Sequence, residues 1–207
     1  MENKFTSPAM RKIKLVVICV LAIALNFFSV FIFYDTLKLP LFMDTIFTLA
    51  VLFYAGLLPA LIVQISYNII NSFVWMFITG SFDVFMLMYT ICGILIVVSS
   101  WLVARHKKNF EISPLITILY LLLIAMLSSA CSVISGGIID YFHLRCSNIP
   151  DMISPIKKFT DAFVRQRFSL FVSCILAQVP VSFADRLITT FAGWGVYKIM
   201  RRCIQTV

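Results

Sequence analysis

Residues 39–74 constrain the fold most, because this stretch is almost wholly apolar and about twice as long as one membrane crossing requires. A transmembrane helix needs about 20 predominantly apolar residues. Gly56 and Pro59 lie near the middle of the stretch, and both residue types favour turns. The pattern therefore predicts two transmembrane helices, at about 43–57 and 59–79, joined by a tight hairpin.

The composition extends this interpretation to the whole chain of 207 residues. Apolar residues make up 61% and charged residues 13%, whereas a soluble domain has about 45–50% and about 25%. We therefore expect an all-α integral membrane protein, with six transmembrane helices in one bundle and a single membrane domain over 1–207. The remaining predicted segments are helices at about 13–34, 84–104, 114–137 and 168–200 (the last with a break near 180) and an external loop at 138–167.

The basic residues predict the orientation of these helices. The net charge is +8, and short clusters of Lys and Arg flank the first helix, the fourth helix and the C-terminus. Because short basic loops face the cytoplasm, we expect a multi-pass protein of the cell membrane with both termini cytoplasmic. The same charge is better explained by topology than by nucleic acid, so no nucleic-acid partner is expected.

The sequence has no recognisable catalytic or metal-binding motif. Its six cysteines form no CxxC pair, and it has no Gly-rich phosphate loop and no GxSxG. We therefore expect a protein that is not an enzyme and has neither metal nor cofactor. If it moves a solute uphill, a partner that hydrolyses ATP or an ion gradient must supply the energy.

The loop before the second helix is the first candidate site, because it mixes apolar, aromatic and charged residues. Charged groups at or within a membrane are costly unless paired, and they indicate function by default. One hypothesis is a lid that folds onto a ligand, and the alternative is a loop that rests on lipid headgroups. The candidate residues are Tyr34, Asp35, Lys38 and Asp44.

An adjacent acid and base form the second candidate site, Asp185 and Arg186, a few residues after Pro180. Neighbouring residues point to different faces of a helix, so one can pair internally while the other binds a ligand. The forked guanidinium suits a carboxylate or phosphate, and Arg186 and Lys38 together favour an anionic ligand. The alternative is an ion pair between Arg186 and a lipid phosphate at the membrane edge.

Polar residues on the fourth and fifth predicted helices form the third candidate site. They are Tyr89, Ser128 and Ser132, and the two serines are one helical turn apart. Ligand contact is one hypothesis. Small polar faces also serve ordinary helix packing in membranes, and the sequence leaves both interpretations open.

Two segments resemble a known family. The segment PLFMDTIFTLAVLFYAGLLPALIVQISYNII resembles the helix 2–3 region of substrate-binding S components of energy-coupling factor (ECF) vitamin transporters, and VPVSFADRLITTFAGWGVYKIMRR resembles their last helix. The resemblance implies that a vitamin-like ligand binds from outside beneath a lid formed by residues 35–44. It also implies that Arg186 contacts the ligand, and that the chain docks on a coupling transmembrane subunit and two ATPase subunits.

One feature departs from that family. The family often carries an Ala-xxx-Ala pair on its first helix, whereas Ala22 and Ala24 are only two apart here.

Two other functions remain open. One is a transmembrane sensor or input module, which would normally continue into a cytosolic output domain. The other is a small secondary carrier, which would need proton-relay acids in the middle of its helices.

Overall fold

The computed structural model describes residues 8–37, 39, 41–106, 110, 112–146 and 156–205. Within them the chain is helical almost throughout. The helices are α1 (Pro8–Val30), which continues into a π-helical segment (Phe31–Thr36), α2 (Ile46–Ala55), α3 (Leu57–Thr79), α4 (Val84–Ala104), α5 (Pro114–Cys146), α6 (Lys157–Arg165) and α7 (Leu170–Gln205).

Five of these helices, α1, α3, α4, α5 and α7, are long and apolar enough to cross a membrane. This confirms the predicted all-α, multi-pass membrane class. The second predicted helix is shorter than expected, because α2 begins at Ile46 rather than near Met43. Its ten residues span about 15 Å at 1.5 Å per residue, about half the hydrocarbon thickness of about 30 Å. Among the described residues, five helices are long, α2 has half the length of a membrane crossing, and α6 is a further short helix of nine residues.

The half-length helix α2 lies in the middle of the bundle. It packs against α1, α3, α4 and α7, and seven of its ten residues are buried. Phe53 packs edge-on against Trp194 of α7, with ring centroids 5.1 Å apart. Near the other end of α2, a Cβ on Gly193 would lie 2.9 Å from the carbonyl oxygen of Ile46. The glycine therefore lets the α2 and α7 backbones approach closely.

The predicted hairpin between the second and third helices is present. Gly56 separates α2 from α3 and adopts a φ of +91°, which residues with a Cβ rarely adopt. Pro59 lies in the first turn of α3, where its missing N–H leaves no helical hydrogen bond unmade.

The bounds of α4 agree with the prediction at both ends. Gly80 ends α3 in the left-handed conformation, with a φ of +73°. Asp83 then caps α4, because its Oδ1 accepts a hydrogen bond of 2.9 Å from the amide of Phe85. A carboxylate in this position satisfies one of the free N–H groups of the first helical turn.

The loop predicted at 138–167 is wrong in part, because most of its described residues are helical. Helix α5 continues to Cys146 instead of ending near Gly137, and Lys157–Arg165 form α6, which packs on α7. Residues 147–155 lie outside the described residues. The polar residues that suggested a loop have partners inside the bundle, so they do not end α5.

Helix α7 is continuous through Pro180, where a break was predicted. It packs along both α5 and α6, and these contacts support the turn that lacks the proline N–H. The side chains on the buried face of α7 build much of the site described next.

Candidate functional site

Three charged side chains meet in the interior of the bundle, and we call Asp44, Asp185 and Arg186 the charge triad. The Nη2 atom of Arg186 contacts Asp185 Oδ2 and lies 3.3 Å from Asp44 Oδ1. The exposed fractions are 0% for the side chain of Asp185, 3% for Arg186 and 22% for Asp44. Arg186 lies roughly 24 Å along α7 from Leu170 at 1.5 Å per residue, so the triad is near the middle of that helix.

The segment that precedes α2 closes directly on the triad. The backbone N–H of Met43 donates a 2.8 Å hydrogen bond to Asp185 Oδ1, and Arg186 Nη1 donates a 2.7 Å hydrogen bond to Thr45 Oγ1. Met43 is buried and has a φ of +50°, which is uncommon for a residue other than glycine. The chain between α1 and α2 is thus held in a strained conformation by its contacts with α7.

Helix α1 fixes the start of α2 and therefore the position of this segment. Asn26, which is fully buried, accepts a 3.1 Å hydrogen bond from the amide of Phe47. Its Nδ2 donates a 2.9 Å hydrogen bond to Thr48 Oγ1. The Asn26 side chain therefore replaces the local N-terminal cap that Thr45 does not provide.

A second set of buried polar side chains joins α4, α5 and α7. Tyr89 OH donates to Asp140 Oδ1, and Gln178 Nε2 donates a 2.7 Å hydrogen bond to Asp140 Oδ2. Ser182 Oγ donates a 3.0 Å hydrogen bond to Gln178 Oε1 and lies 3.3 Å from Ser132 Oγ. We call these five residues the polar column. Ser182 is one turn from Arg186 on the buried face of α7, so the column leads towards the triad.

The C-terminal end of α5 is also more buried than its sequence indicates. His143, which falls within the loop predicted at 138–167, faces Asp83 with 3.1 Å between Nε2 and Oδ2. It stacks on the ring of Phe85 at 5.0 Å. Asp140, placed in the same predicted loop, is buried. The loop prediction is wrong for both residues, because α4 and α7 supply polar partners that the local sequence of α5 does not show.

Several buried polar atoms have no hydrogen-bond partner among the described residues. They include Arg186 Nε, both side-chain amide atoms of Gln64, and Thr90 Oγ1. Gln64 lies where α3 approaches α4 closely, since a Cβ on Gly93 would be 2.8 Å from its Nε2. An unpaired buried polar group costs about 1–3 kcal/mol, so such atoms mark places where a bound molecule would find partners.

The structure places five of the nine predicted site residues in two buried groups. Asp44, Asp185 and Arg186 form the triad, and Tyr89 and Ser132 belong to the polar column. Ser128 is buried one turn from Ser132, and its hydroxyl donates to the carbonyl oxygen of Ile124 at 2.7 Å in its own helix. The side chains of Tyr34 and Asp35, and the whole of Lys38, lie outside the described residues.

The acid and base on α7 pair with each other rather than pointing to separate partners. Arg186 is buried, so the alternative of an ion pair with lipid phosphate at the membrane edge is wrong. Both Nη atoms of its guanidinium contact oxygen atoms of the protein, and Nε is left without a partner among the described residues.

Sequence reasoning missed five residues that build the site, although two of them gave a signal. Gln178, Ser182 and Arg186 follow each other at intervals of four, so α7 carries a polar stripe on one face. Thr45, Asn26 and Asp140 give no comparable signal, because their partners are on distant helices.

Asp44 is the part of the triad that a solute can reach, because its carboxylate alone among the three keeps appreciable exposure. The arrangement can hold a polar or charged group inside the bundle beneath the segment before α2.

No family model, curated protein or solved structure matches this chain.

Proposed function

We propose that this chain is the substrate-binding S component of an ECF-type, ATP-driven importer, and that it captures a vitamin or related micronutrient from outside. The observation that carries the proposal is the closure of residues 43–45 onto Asp185 and Arg186 of α7. A binding protein needs a segment that covers its ligand and can be released. The segment before α2 has this form, since two hydrogen bonds to α7 hold it over buried polar groups.

The strained backbone of Met43 supports a gating role for this segment. A residue with positive φ that is not glycine costs of order 1–3 kcal/mol and is retained where its surroundings enforce it. Here the Met43 N–H bond to Asp185 enforces the conformation. Breaking that bond releases the strain, so opening the segment costs less than its contacts alone indicate.

Partner subunits supply the energy in this proposal. The sequence has no phosphate-binding loop, so ATP hydrolysis is assigned to two ATPase subunits that act through a coupling transmembrane subunit. The α2–α3 hairpin offers a place for docking, because Leu58 and Ile62 beside it are 72% and 59% exposed. In the proposed topology this hairpin faces the cytoplasm, together with both termini.

A small secondary carrier is the second candidate, and one observation favours it. Asp140 and Asp185 are buried inside α5 and α7, and carriers that couple transport to protons place acids within their helices. In this alternative, transport follows a pH gradient and needs neither a coupling subunit nor ATP.

Ligand binding is the first test. The protein is purified in mild detergent, and the small molecules that copurify are identified by mass spectrometry. We expect a tightly held micronutrient that also quenches tryptophan fluorescence at micromolar concentration. Absence of any copurifying solute, together with no quenching by candidate vitamins, would remove the binding function.

The source of energy separates the two candidates. Coexpression with a coupling subunit and its two ATPases is expected to give a stable complex whose uptake of the ligand into proteoliposomes requires ATP. Uptake by the purified chain alone, driven by an imposed pH gradient, would instead establish the carrier.

The lid is tested by replacing Thr45 with a residue of the same shape. Thr45→Val removes the acceptor for Arg186 Nη1 and is expected to speed ligand release by about tenfold, since a hydrogen bond to a charged group contributes about 1.5–3 kcal/mol. Thr79→Val is the matched control, because its hydroxyl bonds only within the end of α3. Equal release rates for the two variants would show that residues 43–45 do not cover the ligand.

A further inference from the structure

The charge triad has an excess of negative charge. When all three groups are ionised, Asp44 and Asp185 carry two negative charges and Arg186 carries one positive charge. The pairing of Asp185 with Arg186 is close, and both side chains are almost fully buried. The uncompensated charge therefore belongs to Asp44, whose bond to Arg186 is longer, at 3.3 Å.

The excess charge is also the accessible one. The side chain of Asp44 is 22% exposed, whereas those of its two partners are at or below 3%. A solute that enters the site therefore meets a carboxylate before it meets the guanidinium. An ammonium group within about 4–6 Å would stabilise the ionised form of that carboxylate.

Neutral groups on α3 complete the surroundings. Tyr67 is buried and packs against the ring of Phe27 at 4.6 Å. Gln64, one turn earlier on α3, is fully buried, and its amide oxygen lacks a partner among the described residues. An aromatic side chain and an unpaired carbonyl oxygen both stabilise an organic cation.

The rest of the interior has the same sign. The buried set among the described residues contains the acids Asp140 and Asp185, and Arg186 is its one Lys or Arg. Asp83, with a side chain 9% exposed, adds a further carboxylate beside His143. The interior is therefore negative although the chain as a whole carries +8. A cleft lined by charge of one sign concentrates solutes of the opposite sign.

We infer that the solute bound at this site is an organic cation, and that its ammonium or quaternary nitrogen pairs with the carboxylate of Asp44. This inference rests on the proposed binding function and narrows its substrate class. It replaces the anionic ligand that Arg186 and Lys38 indicate in the sequence, because both Nη atoms of Arg186 already contact protein oxygen atoms and leave only Nε without a partner.

The test compares solutes by charge on the purified full-length protein. Equilibrium dialysis is carried out with thiamine and choline as cations, riboflavin as a neutral solute, and biotin and pantothenate as anions. We expect a cation to bind and the anions not to bind. Asp44→Asn keeps the shape of the side chain, removes its charge, and should weaken cation binding at least tenfold.

Asp161→Asn is the matched control, because Asp161 is exposed on α6 and undergoes the same chemical change. It should leave cation binding unchanged. Binding of an anion that survives or tightens in Asp44→Asn would overturn the cation inference and leave the binding function standing. If none of the five solutes binds and nothing copurifies, the binding function fails and the inference fails with it.

Discussion

The backbone amide of Met43 and the carboxylate of Asp185, 142 residues apart in the chain, are joined by a hydrogen bond of 2.8 Å. This bond connects the segment before α2 to the middle of α7. The same carboxylate pairs with Arg186. Asp185 therefore neutralises the buried guanidinium of Arg186 and also fixes the position of the segment that leads into α2.

Removal of the Asp185 side chain is expected to destabilise the protein strongly. Asp185→Ala leaves Arg186 with less compensation in the interior, and breaking a buried ion pair costs about 3–5 kcal/mol. Asp185→Asn should cost less, because its amide oxygen still accepts from Met43. The midpoint of thermal unfolding in detergent should rank wild type, Asp185→Asn and Asp185→Ala in that order. Equal midpoints for the alanine variant and wild type would contradict the role of this contact.

The α2–α3 hairpin should be sensitive to any Cβ at Gly56. No atom lies within 4 Å of a Cβ built there, so the expected loss for Gly56→Ala comes from the backbone φ of +91° alone and is about 1–3 kcal/mol. Gly195→Ala is the control, because that position also has open space but is inside a helix. Alanine should be neutral or stabilising there. Urea or thermal unfolding measures the difference.

The close approach of α2 to α7 should depend on Gly193. A Cβ there would lie 2.9 Å from the carbonyl oxygen of Ile46 and 3.0 Å from Leu49 Cβ. Gly193→Ala should therefore push α2 away and cost about 1–3 kcal/mol, as overpacking does. Gly195→Ala, two positions later on the same helix, provides the comparison. If both variants unfold at the same temperature, the two helices do not require this contact distance.

The buried carboxylate of Asp140 should depend on Tyr89. Tyr89→Phe removes a hydroxyl donor and leaves Oδ1 without that partner, with an expected loss of about 1–3 kcal/mol. Tyr141→Phe removes a hydroxyl that only accepts from Arg145 at an exposed position and should change stability little. Thermal unfolding of the two variants side by side checks the prediction. A larger loss for Tyr141→Phe would show that the polar column is not stabilising.

The parts of the fold that depend on local sequence could be predicted. The hairpin at Gly56 and Pro59 and both ends of α4 follow from turn chemistry and apolar length. The length of α2 could not be predicted in this way, because apolar residues continue up to Leu41 and Phe42. Its true start is set by Asn26 on α1, which caps the amide of Phe47 across the bundle.

The members of the charge triad could be predicted from the sequence, but their contacts with each other could not. The chemistry of Asp44, Asp185 and Arg186 identified them as unusual, since charges within apolar segments need partners. Their pairing with each other depends on α2 being parallel to α7 and on the glycine that lets the two approach. For Asp140 the local sequence was misleading, because a polar residue near the end of an apolar run usually indicates a loop. In the structure Asp140 stays within α5, where Gln178 of α7 donates a hydrogen bond to it.

The half-length of α2 has a consequence for how the chain is made. Synthesis proceeds at about 5–20 residues per second, so Asp185 follows Met43 out of the ribosome by roughly 7–30 s. During that interval α2 is too short to hold itself across the bilayer, and the charge of Asp44 has no partner. We therefore expect insertion in two stages, in which the last helix, once made, fixes a segment made near the beginning.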